Sequence, residues 1–310
     1  MLRKAFYFVV LVSASFAAVV VQDKAPQAEA RAILWESVDI SQQDVFWGAG
    51  GREMFPDLKG VTFVSRQIGG NNPKYRIKDR AGTEWIVKIA DESQPEVAAT
   101  RLLWALGYKT EIDYIIPKFS MSRIGPNLYK NVRIESRTDK LKRLDRWSWT
   151  ANPFVNTREF NGLKILMAMV NNWDLKDENT VILSTGTQHH YVVSDLGSSF
   201  GRLAKQSASR SGRSVNKPEH YAESNFVKGV RDGQLELDYV GKADHLVKAI
   251  PVDHARWLVD LLLQLSDKQI TDAFRAANYS AEDMQLLTTA FKTRIAQLDE
   301  ATRAPTAATP

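Results

Sequence analysis

The alternation of apolar and polar positions divides the chain into a β-rich first half and a more helical second half. VTFVSRQIGGNNPKYRIKDRAGTEWIVKIAD, residues 61–91, alternates with period two and breaks twice, at IGGNNP and at DRAG. Such runs bounded by Gly, Asn and Pro read as a strand, a Gly-rich turn and a hairpin. PEVAATRLLWALGY then changes to helical spacing, with Pro95 in the first turn and Gly107 as the C-terminal stop. IDYIIPKF and LYKNVRIE read as further strands. RTDKLKRLDRWSW, residues 137–149, is basic with two Trp and predicts an amphipathic connector. After Thr157, REFNGLKILMAMVNNW predicts a strongly apolar helix. TVIL and YVVSD predict two short buried strands around a Gly turn, with His189 and His190 at the hairpin tip. Past about Asp253 the spacing is helical, and Ser266 with Gln269 and Ser280 with Asp283 have the form of N-terminal caps.

These elements predict an α+β chain of two lobes. Residues 59–136 form a mostly β lobe with one helix, and residues 137–300 form a helical lobe. Residues 22–58 are expected to be a linker and entry segment, with 22–35 a polar linker into the fold, and 301–310 a flexible tail. No internal repeat is visible.

Composition sharpens this picture in three places. With 310 residues, 44% of them hydrophobic, the chain can bury a sizeable core. The net charge of +5 comes from interspersed charges of both signs, a mild bias toward phosphates rather than a nucleic-acid signature. There is no Cys, which excludes disulfides, thiol chemistry and Cys-based zinc sites. The start, MLRKAFYFVVLVSASFAAVVVQDK, joins a basic head to an apolar run, with small residues at Ser15 and Ala17. Residues 1–21 therefore read as an export signal or, through residues 5–21, as a retained membrane anchor. Either places the protein in a periplasm, cell envelope or secretory lumen.

Two motifs carry candidate chemistry. WDLKDENTVIL holds Asp174, Lys176 and Asn179 in the spacing Asp-x-Lys-x-x-Asn, which alone arises by chance in roughly one such chain in thirty. Sixteen residues past Asn179, VVSDLGSSFG holds Asp195 and Gly197 in the longer Asp-x-Gly-x-x-Phe-Gly. A carboxylate at a strand end with Gly beside it lets the backbone approach a metal–phosphate cluster. In this order, with a β lobe before them and helices after, the motifs resemble the atypical kinase superfamily. That group holds the phosphatidylinositol 3- and 4-kinases, the secretory-pathway casein kinases and the bacterial spore-coat kinases. Glu96-Val97-Ala98-Ala99 is similar to the secretory kinases' Glu-Ile-Ala-Ala helix, with Gly107-Tyr108 and Pro117 following in like fashion. The likeness covers roughly residues 60–205, as in an exported member of bacterial type.

The resemblance implies a two-lobed kinase-like fold and a set of roles. Asp174 would receive the acceptor's hydroxyl proton, and Lys176 would steady the transferring phosphoryl group. Asn179 and Asp195 would hold Mg²⁺ or Mn²⁺. Lys88 would bind α- and β-phosphate oxygens of ATP, with Glu96 pairing to it and Glu92 a rival partner. Gly69 and Gly70 would form the turn over the phosphates, although Gly-x-Gly-x-x-Gly is missing. Asp177 and Glu178 should face water. RLAKQSASRSGRSVNK, residues 202–217, reads as a solvated loop or an acceptor-binding one. Asn172-Trp173 stands where ordinary kinases have His-Arg, and no Ala-Pro-Glu follows. The implied activity is phosphoryl transfer to a hydroxyl of a protein, glycan or lipid, with no nucleic-acid partner. The alternatives are AMP transfer from an inverted nucleotide, and a nucleotide-binding pseudokinase. No metal ligand or base is missing from the motifs, which favours an enzyme.

Overall fold

Where the alternation is strongest, the chain builds a five-stranded antiparallel sheet. Its strands are β2 (Thr62–Gln67), β3 (Lys74–Lys78), β4 (Glu84–Lys88), β5 (Asp113–Met121) and β6 (Gly125–Ser136), in the order β2-β3-β4-β6-β5. The computed structural model describes residues 30–68, 72–204 and 212–303. The expected signal or anchor, Gly69 and Gly70, part of the 202–217 loop and nearly all of the tail lie outside the described residues. One face of the sheet buries Trp85 and Val87 with Ile77, Tyr114, Ile116, Val132 and Ile134. The period of two turns Ile86 and Lys88 to the opposite face. There Lys88 stands between Lys74 of β3 and Arg133 of β6, its cross-strand partners.

Helix α1 (Ser93–Ala105) follows β4 directly and ends where Gly107 takes φ +93°. Its Val97, Ala98, Leu102 and Leu103 join the large apolar core of the second lobe, and thus the helix belongs to both lobes. Gln94 Nε2 donates to the carbonyls of Ala277 and Asn278, 3.1 and 3.0 Å away, just past the end of α5 (Asp267–Ala276). That core is built mainly by α2 (Arg158–Met169), α4 (Val252–Leu262), α5 and α6 (Ala281–Thr302). Both predicted caps are present: Ser266 with Gln269 forms a capping box on α5, and Ser280 accepts from the Asp283 N–H at the start of α6.

Three expectations need correction, and one stretch without a predicted element gains structure. The polar linker ends by Arg31, because β1 (Arg31–Ile33) pairs in parallel with β9 (Gln188–Val193), and Leu34, Ile40 and Val45 are buried. β9 pairs with β8 (Thr180–Ser184), and β8 with β7 (Lys142–Arg143), in the second lobe's sheet. His189 and His190 lie within β9 and not at its turn, which falls at Gly186. The α2 helix stops at Met169, short of Trp173, because Asn171 takes φ +55° and its side chain bridges Gly201 O, Ser224 Oγ and the buried Arg294. Arg294 also donates to Met169 O at 2.8 Å, so a cation covers the negative end of the helix. Finally, a short helix, α3 (Pro218–Ala222), and a small sheet of β10 (Val227–Arg231), β11 (Gln234–Leu237) and β12 (Ile250–Pro251) fill a stretch with no clear pattern. Gly229 and a register shift interrupt the alternation there. Among the described residues no helix is long and apolar enough to cross a membrane.

Gly107 provides a test of this packing. A Cβ there would lie 2.2 Å from the Glu36 carbonyl oxygen, at a φ that side chains disfavour. Gly107→Ala should cost about 1–3 kcal/mol. At about 2–4 °C per kcal/mol for a domain of this size, melting should drop by several degrees. An unchanged melting temperature would mean that the β1 segment does not pack where it is described.

Candidate active site

The candidate residues converge on one cleft of about 690 Å³ between the five-stranded sheet and the second lobe. On the sheet side, Lys88 is 1% exposed and Glu96 2%. Lys88 Nζ lies 2.9 Å from Glu96, 3.0 Å from Glu92 and 3.5 Å from Asp195. Both proposed partners therefore reach the lysine: Glu96 from within the core, Glu92 from the cleft rim. Glu92 also accepts from Asn72 Nδ2 at 2.8 Å. Two charges taken out of water cost several kcal/mol each unless they are well paired. Glu96 accepts from Lys88, and its other oxygen lies 3.1 Å from Arg133 as an ion pair without a hydrogen bond.

Arg133 is the centre of a wider buried network. It contacts Glu135 at 2.7 Å, and Asp113 beyond it is paired to Arg101 at 2.9 Å. Burial pushes the Glu96 carboxyl up to about 7, with Arg133 and Lys88 pulling it back. The two flanking cations thus offset only part of what burial costs the Glu96 charge. Burial opposes the charge on Lys88 too, but Glu96 and Asp195 outweigh it and hold the lysine above its ordinary value. Lys74 lines the same cleft, and burial together with Lys88 lowers its pKa. It adds a second cation beside Lys88.

Across the cleft the loop after α2 is held by its own polar groups. Asn172 Oδ1 accepts from the Asp174 N–H at 3.0 Å, and Tyr239 OH donates to Asn172 O at 2.6 Å. A single 3-10 turn, Asp177–Asn179, then leads into β8. Asn179 Nδ2 donates to Asp174 O at 2.9 Å and to Asp174 Oδ2 at 3.2 Å. Lys176 lies 3.0 Å from the same Oδ2, and Lys242 contacts Oδ1. Burial raises the Asp174 pKa, but these two lysines more than reverse that and leave it below the usual carboxylate range. Asp177 and Glu178 are exposed, as expected. Asp177 has a separate task, accepting the Trp149 N–H at 3.0 Å.

Asp195 follows β9 and accepts from the Gly197 N–H at 3.3 Å. Burial works against its charge, yet Lys88 and Arg133 hold its pKa below the ordinary value. A Cβ on Gly197 would come within 2.7 Å of Glu92 Cβ. The glycine therefore lets the metal-type motif close onto the start of α1. Leu196 and Phe200 anchor it in the core, 1% and 0% exposed.

The donor set fits a hard divalent cation. Asn179 uses its amide nitrogen on Asp174, which leaves Oδ1 for a metal, and Asp195 supplies carboxylate oxygen. Among the described residues no three His, Cys, Asp or Glu side chains gather to hold a metal alone. A phosphate-bound metal needs fewer protein ligands than that.

Gly69 and Gly70 lie outside the described residues, and nothing here places the phosphate-covering turn. Sequence reasoning missed Arg133, Lys74 and Lys242. Arg133 carried a faint signal, a charge between the buried Val132 and Ile134 on an otherwise apolar strand.

No family model matches this chain, and no curated protein does. Among solved structures it is similar to the Helicobacter pylori proinflammatory kinase CtkA, with TM-score 0.52, 14% identity, and 80% of this chain and 96% of that one covered. It is also similar to the Golgi casein kinase, with TM-score 0.45, 9% identity and coverage of 82% and 74%. A third match is the kinase domain of maize sucrose-induced receptor kinase 1 bound to AMP-PNP, with TM-score 0.26, 12% identity and coverage of 78% and 94%. The chain has a kinase-like fold, a β-rich lobe followed by a more helical one. At such identities the likeness with CtkA speaks for the fold alone.

The two cations on Glu96 should differ in what they support. Arg133→Met removes the buried cation that Glu96, Glu111, Asp113 and Glu135 share, leaving Glu96 only Lys88 and Glu135 only Arg137 and Arg143, and should cost about 3–5 kcal/mol, the scale of a broken buried pair. Lys88→Met leaves Glu96 its Arg133 contact and a proton to take up, so folding should survive. Denaturant unfolding of both variants checks this, and equal stability losses would refute it.

Proposed function

We propose that this chain is an ATP-dependent kinase-type phosphotransferase, exported from the cytoplasm, that modifies a hydroxyl on a protein, glycan or lipid. What chiefly supports this is the meeting, in one cleft, of the buried Lys88–Glu96 pair with Asp174, Asn179 and Asp195. The basic and apolar start of the sequence supports export.

Each side chain has a physical task in such a transfer. Lys88 would exchange its contacts with Glu92 and Asp195 for α- and β-phosphate oxygens, while Glu96 keeps the ammonium in place. Mg²⁺ or Mn²⁺ held by Asn179 Oδ1 and Asp195 would neutralise charge on the β- and γ-phosphate oxygens. Lys176 would then leave Asp174 for the γ-phosphoryl oxygens. Asp174 orients the acceptor's O–H and accepts its proton as the new oxygen–phosphorus bond forms. The bond from γ-phosphorus to the bridging oxygen breaks, and ADP leaves with that electron pair. The proton then passes from Asp174 to water.

Residues 22–310 should be stabilised against heat by ATP only when Mg²⁺ or Mn²⁺ is present, and Asp195→Ala should abolish that effect. If no nucleotide stabilises the protein in a metal-dependent way, this function is wrong. Asp174→Asn preserves size and most hydrogen bonding, so metal–ATP affinity should survive while turnover falls about a hundredfold or more. Asp177→Asn keeps an acceptor for the Trp149 N–H and should behave like wild type. Equal losses in both would make the loop a structural turn. Label at the γ-phosphate of ATP should reach components of an envelope extract. Label arriving only from the α-phosphate would establish AMP transfer instead.

A further inference from the structure

The segment after β11 comes back to the catalytic loop at one point. Tyr239 OH holds Asn172 O at 2.6 Å, and the Lys242 N–H donates to Trp173 O at 3.0 Å. The two residues directly before Asp174 are thereby fixed from outside their own loop. Lys242 then turns its ammonium onto Asp174 Oδ1, 5.7 Å from the centre of the Trp173 ring. Arg213 covers the same indole at 4.8 Å. Trp173 stands where ordinary kinases carry an arginine, so the loop has no cation of its own before the aspartate. Lys242 and Arg213 supply positive charge there from two other segments.

The lysines on Asp174 are not equivalent. Lys176 and Asn179 share Oδ2, and Lys176 belongs to the loop that faces the phosphates. A γ-phosphate would draw Lys176 away and leave Oδ2 with Asn179 alone. Lys242 is not among the residues lining the nucleotide cleft, so nothing pulls it in that direction. It remains on Oδ1 and sets the plane of the carboxylate. A carboxylate free to rotate presents its lone pairs to an acceptor hydroxyl only part of the time, and orientation is a large part of the barrier in such a transfer.

We propose that Lys242 is a positioning residue of the transfer site, clamping the Asp174 carboxylate in the orientation that receives the acceptor hydroxyl. This rests on the phosphotransferase reading of the cleft. It also divides the site in two, with Lys88, Asn179 and Asp195 serving the nucleotide and Lys242 serving the acceptor side through Asp174.

The experiment pairs a kinetic readout with one independent of activity. Lys242→Ala should lower kcat about ten- to hundredfold while the KM for ATP and the metal-dependent thermal shift stay unchanged. Lys242→Arg, whose guanidinium can also meet a carboxylate, should recover most of the rate. Lys248→Ala, which breaks only the exposed pair with Asp244 in the neighbouring turn, should leave the rate unchanged. A loss of ATP affinity together with kcat, or no recovery with arginine, would overturn the positioning role.

For the contact itself, Lys242→Ala should lower the melting temperature more in the wild-type background than in Asp174→Asn. Equal shifts in the two backgrounds would mean that the ion pair is not formed, and the proposal fails whatever the enzyme does. Should the pair be present and the wild-type protein bind metal–ATP without transferring any group, the phosphotransferase reading fails instead, and Lys242's catalytic role with it.

Discussion

A carboxylate buried between two cations holds this structure in register. Glu96 comes from α1, Lys88 from β4 and Arg133 from β6, and none of the three is more than 3% exposed. In a medium of low dielectric an unpaired member would cost several kcal/mol, so helix and sheet cannot slide past one another without exposing or stranding a charge. Hydrophobic contacts tolerate small shifts, because they have no direction. The ion triad does not, and it places the Lys88 ammonium against the cleft to within a hydrogen bond.

The opposite wall follows a different rule. Asp174 and Lys176 are partly exposed, and the contact of Lys176 is replaceable by a ligand. What is fixed there is the backbone beneath them, through Asn172, Asn179 and Tyr239. One wall is therefore rigid in its charges, and the other rigid in its main chain with Lys176 able to change partners.

Much of this could be read before any coordinates. Period-two and helical spacing located the strands of the first lobe, and two polar motifs placed Asp174, Asn179 and Asp195 at one cleft. The failures share a cause, since each depends on contacts between distant residues. RAI at 31–33 is too short to declare itself a strand and becomes one only because β9 offers an open edge. Lys242 carries no local pattern, and only the fold brings it to Asp174. Arg133 looks like an interruption in an apolar strand until Glu96 arrives from a helix. Local spacing speaks for elements and motifs. It says little about which side chain a third segment will deliver.

Gln94 fastens the first turn of α1 to the carbonyls just past α5, and the inner face of α1 is part of the second lobe's core. The helix that carries Glu96 is thus mounted on the larger lobe. To widen the mouth of the cleft, the sheet would have to roll on α1 as on a fixed axle. Two buried ion contacts join that axle to the sheet, Glu96 with Lys88 and Arg133 near its first turn and Arg101 with Asp113 further along. Breathing of the two lobes is consequently geared to these buried ion pairs, so the mouth cannot gape without disturbing the seat of Lys88.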